Sequence, residues 1–259
     1  MSRILATVVF AILVCFLAVP LVAKTAGRAA SPKTVARTAV AESRIPPVHR
    51  SSQSEGENPE SRLVTVDRAA AMKSGVSADV LDLAIGAVSC GIASGDLQAP
   101  PTLTLIDYSL PSTTPRLWVF DLGSGNLLFN ELVAHGRNSG DNLATRFSDA
   151  MESRETSLGL FRTADTYVGT NGYSLRLDGL EPGVNDRARE RAIVMHGAPY
   201  VSEGNIRALG RLGRSHGCPA IRPAVARKVI DTIKDGSLVF AYYPDRQWLN
   251  GSRFLNGCS

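Results

Sequence analysis

Between Lys24 and Arg62 the chain contains no Leu, Met, Phe, Tyr or Trp, and it carries Pro32, Pro46, Pro47 and Pro59. Such a stretch cannot bury enough apolar surface to offset the entropy lost on ordering. It therefore reads as a solvated linker over residues 24–62. Any hydrophobic core must come from the residues after it, and the folded domain is expected over residues 63–250, with a short tail at 251–259.

The segment before the linker is of a different kind. Residues 4–23 are 20 consecutive uncharged positions, preceded by Arg3. A basic residue followed by an apolar run is the pattern of a secretory signal peptide. The run is also long enough to span a bilayer, so residues 1–23 read as a cleaved signal or an uncleaved anchor. Both readings export the domain to the periplasm or cell envelope, with membrane contact only through that segment. The formal charge of +4 first suggests a nucleic-acid partner. Its placement removes that reading. Residues 1–50 hold seven Lys/Arg against Glu42, for +6, and the remainder holds 21 basic against 23 acidic residues, for −2. A surface that tracks phosphates needs its Lys/Arg on the folded part.

Within the domain, the first element is a helix. Ser77 is a good N-cap, Asp79 suits the first turn, and Val80, Leu81, Leu83, Ala84, Ala87 and Val88 form an apolar stripe ending near Gly95. After Pro100-Pro101 the pattern becomes β-type. Strands are expected at 102–108, 116–121 and 127–134, the last two joined as a hairpin by the turn at 122–126, then at 158–162, 173–177, 192–195 and 238–243. Residues 223–234 read as a helix, with Pro223 in its first turn and Gly236 just past its end. Strands without regular helical crossovers argue for an α+β domain with a mainly antiparallel sheet, a few helices and a helical segment before the sheet.

Two segments carry the chemistry. In Ile193-Val194-Met195-His196-Gly197 a strand runs directly into a histidine, so a rigid element aims the imidazole. In Gly213-Arg214-Ser215-His216-Gly217-Cys218-Pro219-Ala220 a Gly-rich loop delivers a cysteine just before a helix. A thiolate is a strong nucleophile, and a nearby imidazole activates it. Gly217 removes a side chain beside the sulfur, which suits the backbone N–H groups of Gly217 and Cys218 to an oxyanion hole. The count of cysteines agrees. Of Cys15, Cys90, Cys218 and Cys258, the first lies in the apolar run, which leaves an odd number in the exported part and hence one unpaired thiol. Cys90 and Cys258 either pair or remain thiols. A rival reading makes His135, His196, His216 and Cys218 a zinc site in a non-catalytic cell-wall-binding module. His135, at the end of a strand, reads as a structural histidine, and His49 as a solvated one in the linker.

The combination of His196-Gly197 with Ser215-His216-Gly217-Cys218 resembles the YkuD-type L,D-transpeptidase catalytic domain. Residues 132–140, 147–148, 157–159, 173–179, 181–197 and 213–220 together resemble its murein L,D-transpeptidase branch, over a core of 103–243. The residues after the cysteine, Pro219-Ala220-Ile221, depart from the wider family's pattern. The resemblance implies a cysteine transferase acting on peptidoglycan stem peptides as donor and acceptor, through a thioester acyl-enzyme that yields 3–3 cross-links. With water as acceptor it implies an L,D-carboxypeptidase. Cys218 would be the nucleophile, His196 the base, and the Gly197 carbonyl the group that orients the imidazole. Arg214, Ser215, His216 and Arg176 would contact substrate. No cofactor or metal is implied.

Overall fold

A computed structural model describes residues 64–258. The expected signal or anchor, Cys15, the linker through residue 62 and His49 lie outside the described residues. The chain enters through α1 (Arg68–Lys73), capped by the Asp67 carboxylate, and α2 (Ala78–Ala93). The apolar stripe read from the sequence is the buried face of α2, with Leu81, Ala84, Ala87 and Val88 fully enclosed.

Nine strands then form one mixed sheet. They are β1 (Thr102–Asp107), β2 (Leu117–Asp121), β3 (Leu127–Glu131), β4 (Val133–Ala134), β5 (Gly159–Gly169), β6 (Gly172–Gly179), β7 (Val194–Gly197), β8 (Ala220–Ile221) and β9 (Leu238–Tyr242). Their order is β3-β2-β1-β9-β5-β6-β7-β8-β4. Pairing is antiparallel except at β1–β9 and β7–β8, so the α+β, mainly antiparallel reading holds. All six residues of β1 are buried, as expected for a strand deep in a sheet.

The expected single strand at 127–134 is two strands. The chain breaks at Leu132, and β3 and β4 occupy opposite ends of the strand order. Because one residue separates them, the sheet must curl until its ends meet. Arg222, just after β8, closes the seam with a fork of two bonds to the Glu131 carboxylate, at 2.8 and 2.9 Å.

Helix α3 (Glu203–Leu209) precedes the cysteine loop and α4 (Pro223–Ile233) comes after it. Ala226, Val229, Ile230 and Ile233 recur at helical spacing and are buried against the sheet. Val229, Ile230 and Ile233 are fully enclosed, which stabilises the docked helix by about 1.5–3 kcal/mol each. The segment beyond residue 250, read as a tail, is packed. It continues from α5 (Arg246–Gly251), forms α6 (Arg253–Asn256) and buries Phe254. A Cys90–Cys258 disulfide ties it to α2. Among the described residues, no helix is long and apolar enough to cross a membrane.

Candidate active site

His196 and Cys218 arrive on neighbouring strands. The parallel β7–β8 pairing sets His196 opposite Ala220, two residues past Cys218. Gly197 ends β7 where α4 crosses it, and a Cβ there would fall 2.9 Å from the Ala226 Cβ and 3.3 Å from Pro223 Cα. Glycine at 197 thus permits the close docking of α4. Its carbonyl sits 3.1 Å from His196 Nδ1. A carbonyl only accepts, so Nδ1 carries the proton and Nε2 keeps its lone pair. His196 is 4% exposed, and burial pushes its imidazole pKa down against the opposing pull of the Gly197 bond.

Cys218 is the free cysteine of the described residues, and it is 8% exposed. Its thiol donates to the Ala192 carbonyl at 3.7 Å. Ala192 holds a left-handed backbone (φ 54°), so β7 starts at Val194, two residues later than expected. Burial pushes the thiol pKa up, with Val194 N–H and the Arg191 charge working against it. The direction is set by burial and not by a neighbouring imidazole. No hydrogen bond joins the two side chains among the described residues, and burial disfavours the charged form of each.

The loop before Cys218 is braced from within. Ser215 is buried and its hydroxyl donates to the Cys218 carbonyl at 2.7 Å. The same oxygen accepts the Gly217 N–H at 3.1 Å. Ser215 therefore faces inward instead of toward substrate, and the Gly217 N–H, expected as an oxyanion donor, is engaged. Gly217 adopts φ 126°, and a Cβ would lie 2.9 Å from Glu155 O and 3.0 Å from Ile193 Cδ1. Both facts require glycine. His216 is exposed at the rim.

The arginines part company. Arg214 reaches Gly140 O at 2.8 Å and Asp141 Oδ1 at 2.9 Å, beside the cysteine loop. Arg176 is bound elsewhere. Its backbone pairs with Val194 of β7, but its side chain pairs with Asp165 at 3.1 Å and lies over the Tyr167 ring, both on β5. Its expected substrate contact is not supported.

His135 is structural. It is buried, and its Nδ1 lies 2.8 Å from Nη2 of the fully buried Arg116. Arg116 also donates to Leu110 O and Val133 O. Burial and the Arg116 charge drive the His135 pKa down to about 4. The four residues of the zinc reading are not gathered. Among the described residues no group of three or more His, Cys, Asp or Glu side chains is arranged to hold a metal.

Two residues went unread in the sequence. Arg191 is buried behind Gly217 and donates to Ser148 O, Ser153 Oγ, Ser157 Oγ and Glu155 O, with Asp149 as its carboxylate partner at 3.2 Å. Tyr200 has its phenol pKa pushed up to about 12, first by burial and then by the Cys218 sulfur. Its proximity to His196-Gly197 in the chain was the available signal.

A buried thiol on a glycine-shaped loop, beside a histidine whose tautomer a carbonyl fixes, is suited to nucleophilic acyl transfer. Comparison with known proteins agrees with the class. The chain matches the YkuD_2 family, the L,D-transpeptidase catalytic domain, over residues 72–242, and it belongs to that family. Among solved structures it is similar to an L,D-transpeptidase from Mycobacterium smegmatis, at 16% identity and a TM-score of 0.35, covering 55% of this chain and 59% of that one. It is also similar to an L,D-transpeptidase from Stackebrandtia nassauensis, at 16% identity and 0.35, covering 64% and 67%. A third is the helical cell shape determining protein Pgp2 from Campylobacter jejuni, at 13% and 0.38, covering 62% and 57%. The chain thus spans about 59% of the length of the first of these neighbours. No curated protein sequence matches it.

Proposed function

We propose that the protein is an exported cysteine L,D-transpeptidase acting on peptidoglycan stem peptides. The observation that carries this reading is the His196 Nδ1–Gly197 O contact, because it leaves Nε2 as the base on the strand that neighbours the Cys218 segment. As substrate binds, Cys218 passes its proton to His196 Nε2 and the sulfur bonds to the peptide carbonyl carbon. The Cys218 N–H faces the developing oxyanion. His196 returns the proton to the leaving amine as the C–N bond to the terminal D-residue breaks, and a thioester remains. An acceptor amine then bonds to the same carbon, the S–C bond breaks, and the amine's proton returns to sulfur through His196. Tyr200 shapes the wall of the site and Arg214 its polar rim. The Cys90–Cys258 disulfide supports an oxidising compartment outside the cytoplasm. Within that frame, residues 1–23 deliver the domain and 24–62 tether it.

The test incubates the purified protein with tetrapeptide muropeptides and monitors products by mass spectrometry. We expect a thioester on Cys218, release of the terminal D-residue and cross-linked dimers. His196→Ala is expected to slow acylation at least a hundredfold with an unchanged circular dichroism spectrum. Hydrolysed product without dimers would assign the carboxypeptidase reaction instead, and neither product would remove the reading.

A further inference from the structure

Beside the cysteine loop lies an open depression of about 580 Å³, framed by Arg137, Arg146 and Arg214, with Asp141 and Leu143 on its wall. Its charge is unbalanced. Asp141 is its one carboxylate, 81% exposed, and it is divided between Arg214 at 2.9 Å and Arg211 at 3.5 Å. Arg146 commits Nε and Nη2 to Asn138 O and lies 3.5 Å from Glu155. The guanidinium of Arg137 is exposed and has no hydrogen bond or ion pair among the described residues.

The depression is joined to the chemistry through the backbone. Arg137 N–H donates to Ser215 O at 2.8 Å, and Ser215 N–H donates to His135 O at 3.0 Å. A Cβ at Gly136 would fall 3.0 Å from Gly217 Cα, so the segment bearing Arg137 lies directly against the loop bearing Cys218. Arg214, four residues before Cys218, belongs to both. A planar guanidinium with idle donors next to a second one matches a carboxylate, which takes two parallel N–H bonds.

We propose that this depression is a carboxylate-binding subsite for the peptide substrate, in which Arg137 captures the anion and Arg214 turns to it from Asp141. This rests on the reading of the protein as a stem-peptide acyltransferase. Stem peptides offer a carboxylate at the terminus and others along their length, and the test separates the two sources.

Binding is measured by calorimetry on the full-length chain carrying Cys218→Ala, so that no chemistry intervenes. Three forms of a tetrapeptide stem are used: all carboxylates free, the terminal one amidated, and the internal ones amidated. One amidated form is expected to bind about tenfold more weakly than the free acid, the scale of a lost charge-assisted bond, and its identity names the source. Adding Arg137→Gln is expected to abolish that difference, and Arg137→Lys to keep part of it. The Arg137 side chain holds nothing else in place, so either variant should fold normally. Equal binding of all three forms, no binding of any, or a difference that survives Arg137→Gln overturns the proposal. Discrimination in binding without turnover by the unmodified protein would leave the subsite standing and remove the transferase reading.

Discussion

The pKa shifts of Cys218 and His196 have one leading cause, the removal of water from around both side chains, which raises the first and lowers the second. Burial opposes charge on either partner, and under the proposed reaction the proton would move between them as the substrate carbonyl takes up the charge. The loop around Cys218 was legible because glycine, histidine and cysteine in that spacing have few other uses. Arg191 and Tyr200 were not, because a long side chain's target is set by folding and leaves no local pattern. His135 gives a measurable consequence of the same physics. Its pKa is about 4 when folded against an ordinary value near 6.5. Its stabilising contribution is therefore complete above about pH 6.5 and is lost as pH falls toward 4, because the unfolded chain binds the proton first. We expect unfolding by urea to show a loss of about 3 kcal/mol over that window, and His135→Gln, which still accepts from Arg116, to flatten it. An equal loss in the variant would assign the effect to other groups.

At the scale of elements, the site is a contact between two loops. Residues 136–157 cover the cysteine loop, with Gly136 bridged to Ser215 and Thr156 Oγ1 donating to Gly217 O at 3.1 Å. Arg191 pins the covering segment from behind. Gly217→Ala would strain a left-handed backbone and press on Glu155 O. It is expected to cost about 1–3 kcal/mol in chemical denaturation and to slow thioester formation by more than His216→Ala does, since His216 is exposed at the rim. The sequence located the helices α2 and α4 and most strands, because periodicity and capping are local. It read residues 127–134 as one strand because no Gly or Pro interrupts the run to mark a break. The division at Leu132 comes from sheet closure, where β4 pairs with β8 nearly ninety residues away. Short elements such as α1, α3 and β8 lie below the length at which periodicity can be counted.

For the whole molecule, the disulfide joins residues 168 apart and so constrains almost the entire folded chain. A loop of that size loses much entropy when closed, about 5 kcal/mol in the chain-entropy limit. Reduction is expected to lower the free energy of unfolding by about 2–5 kcal/mol, measured by denaturation with and without dithiothreitol, and Cys90→Ser is expected to match the reduced protein. An unchanged midpoint on reduction would mean that packing of Phe254 and Trp248 alone secures the C-terminal helices.

The position of β9 has a consequence for how the sheet is completed. The last strand of the chain lies between β1 and β5, and it alone pairs with both. In chain order, β1-β2-β3 and then β5-β6-β7 come before any strand that can lie between β1 and β5. The β4–β8 pairing can join the two groups at one side of the sheet, whereas the β1 and β5 sides meet only through residues 238–242, with Cys258 following to meet Cys90. Completion of the sheet between β1 and β5 thus depends on a segment far along the chain from both of its partners.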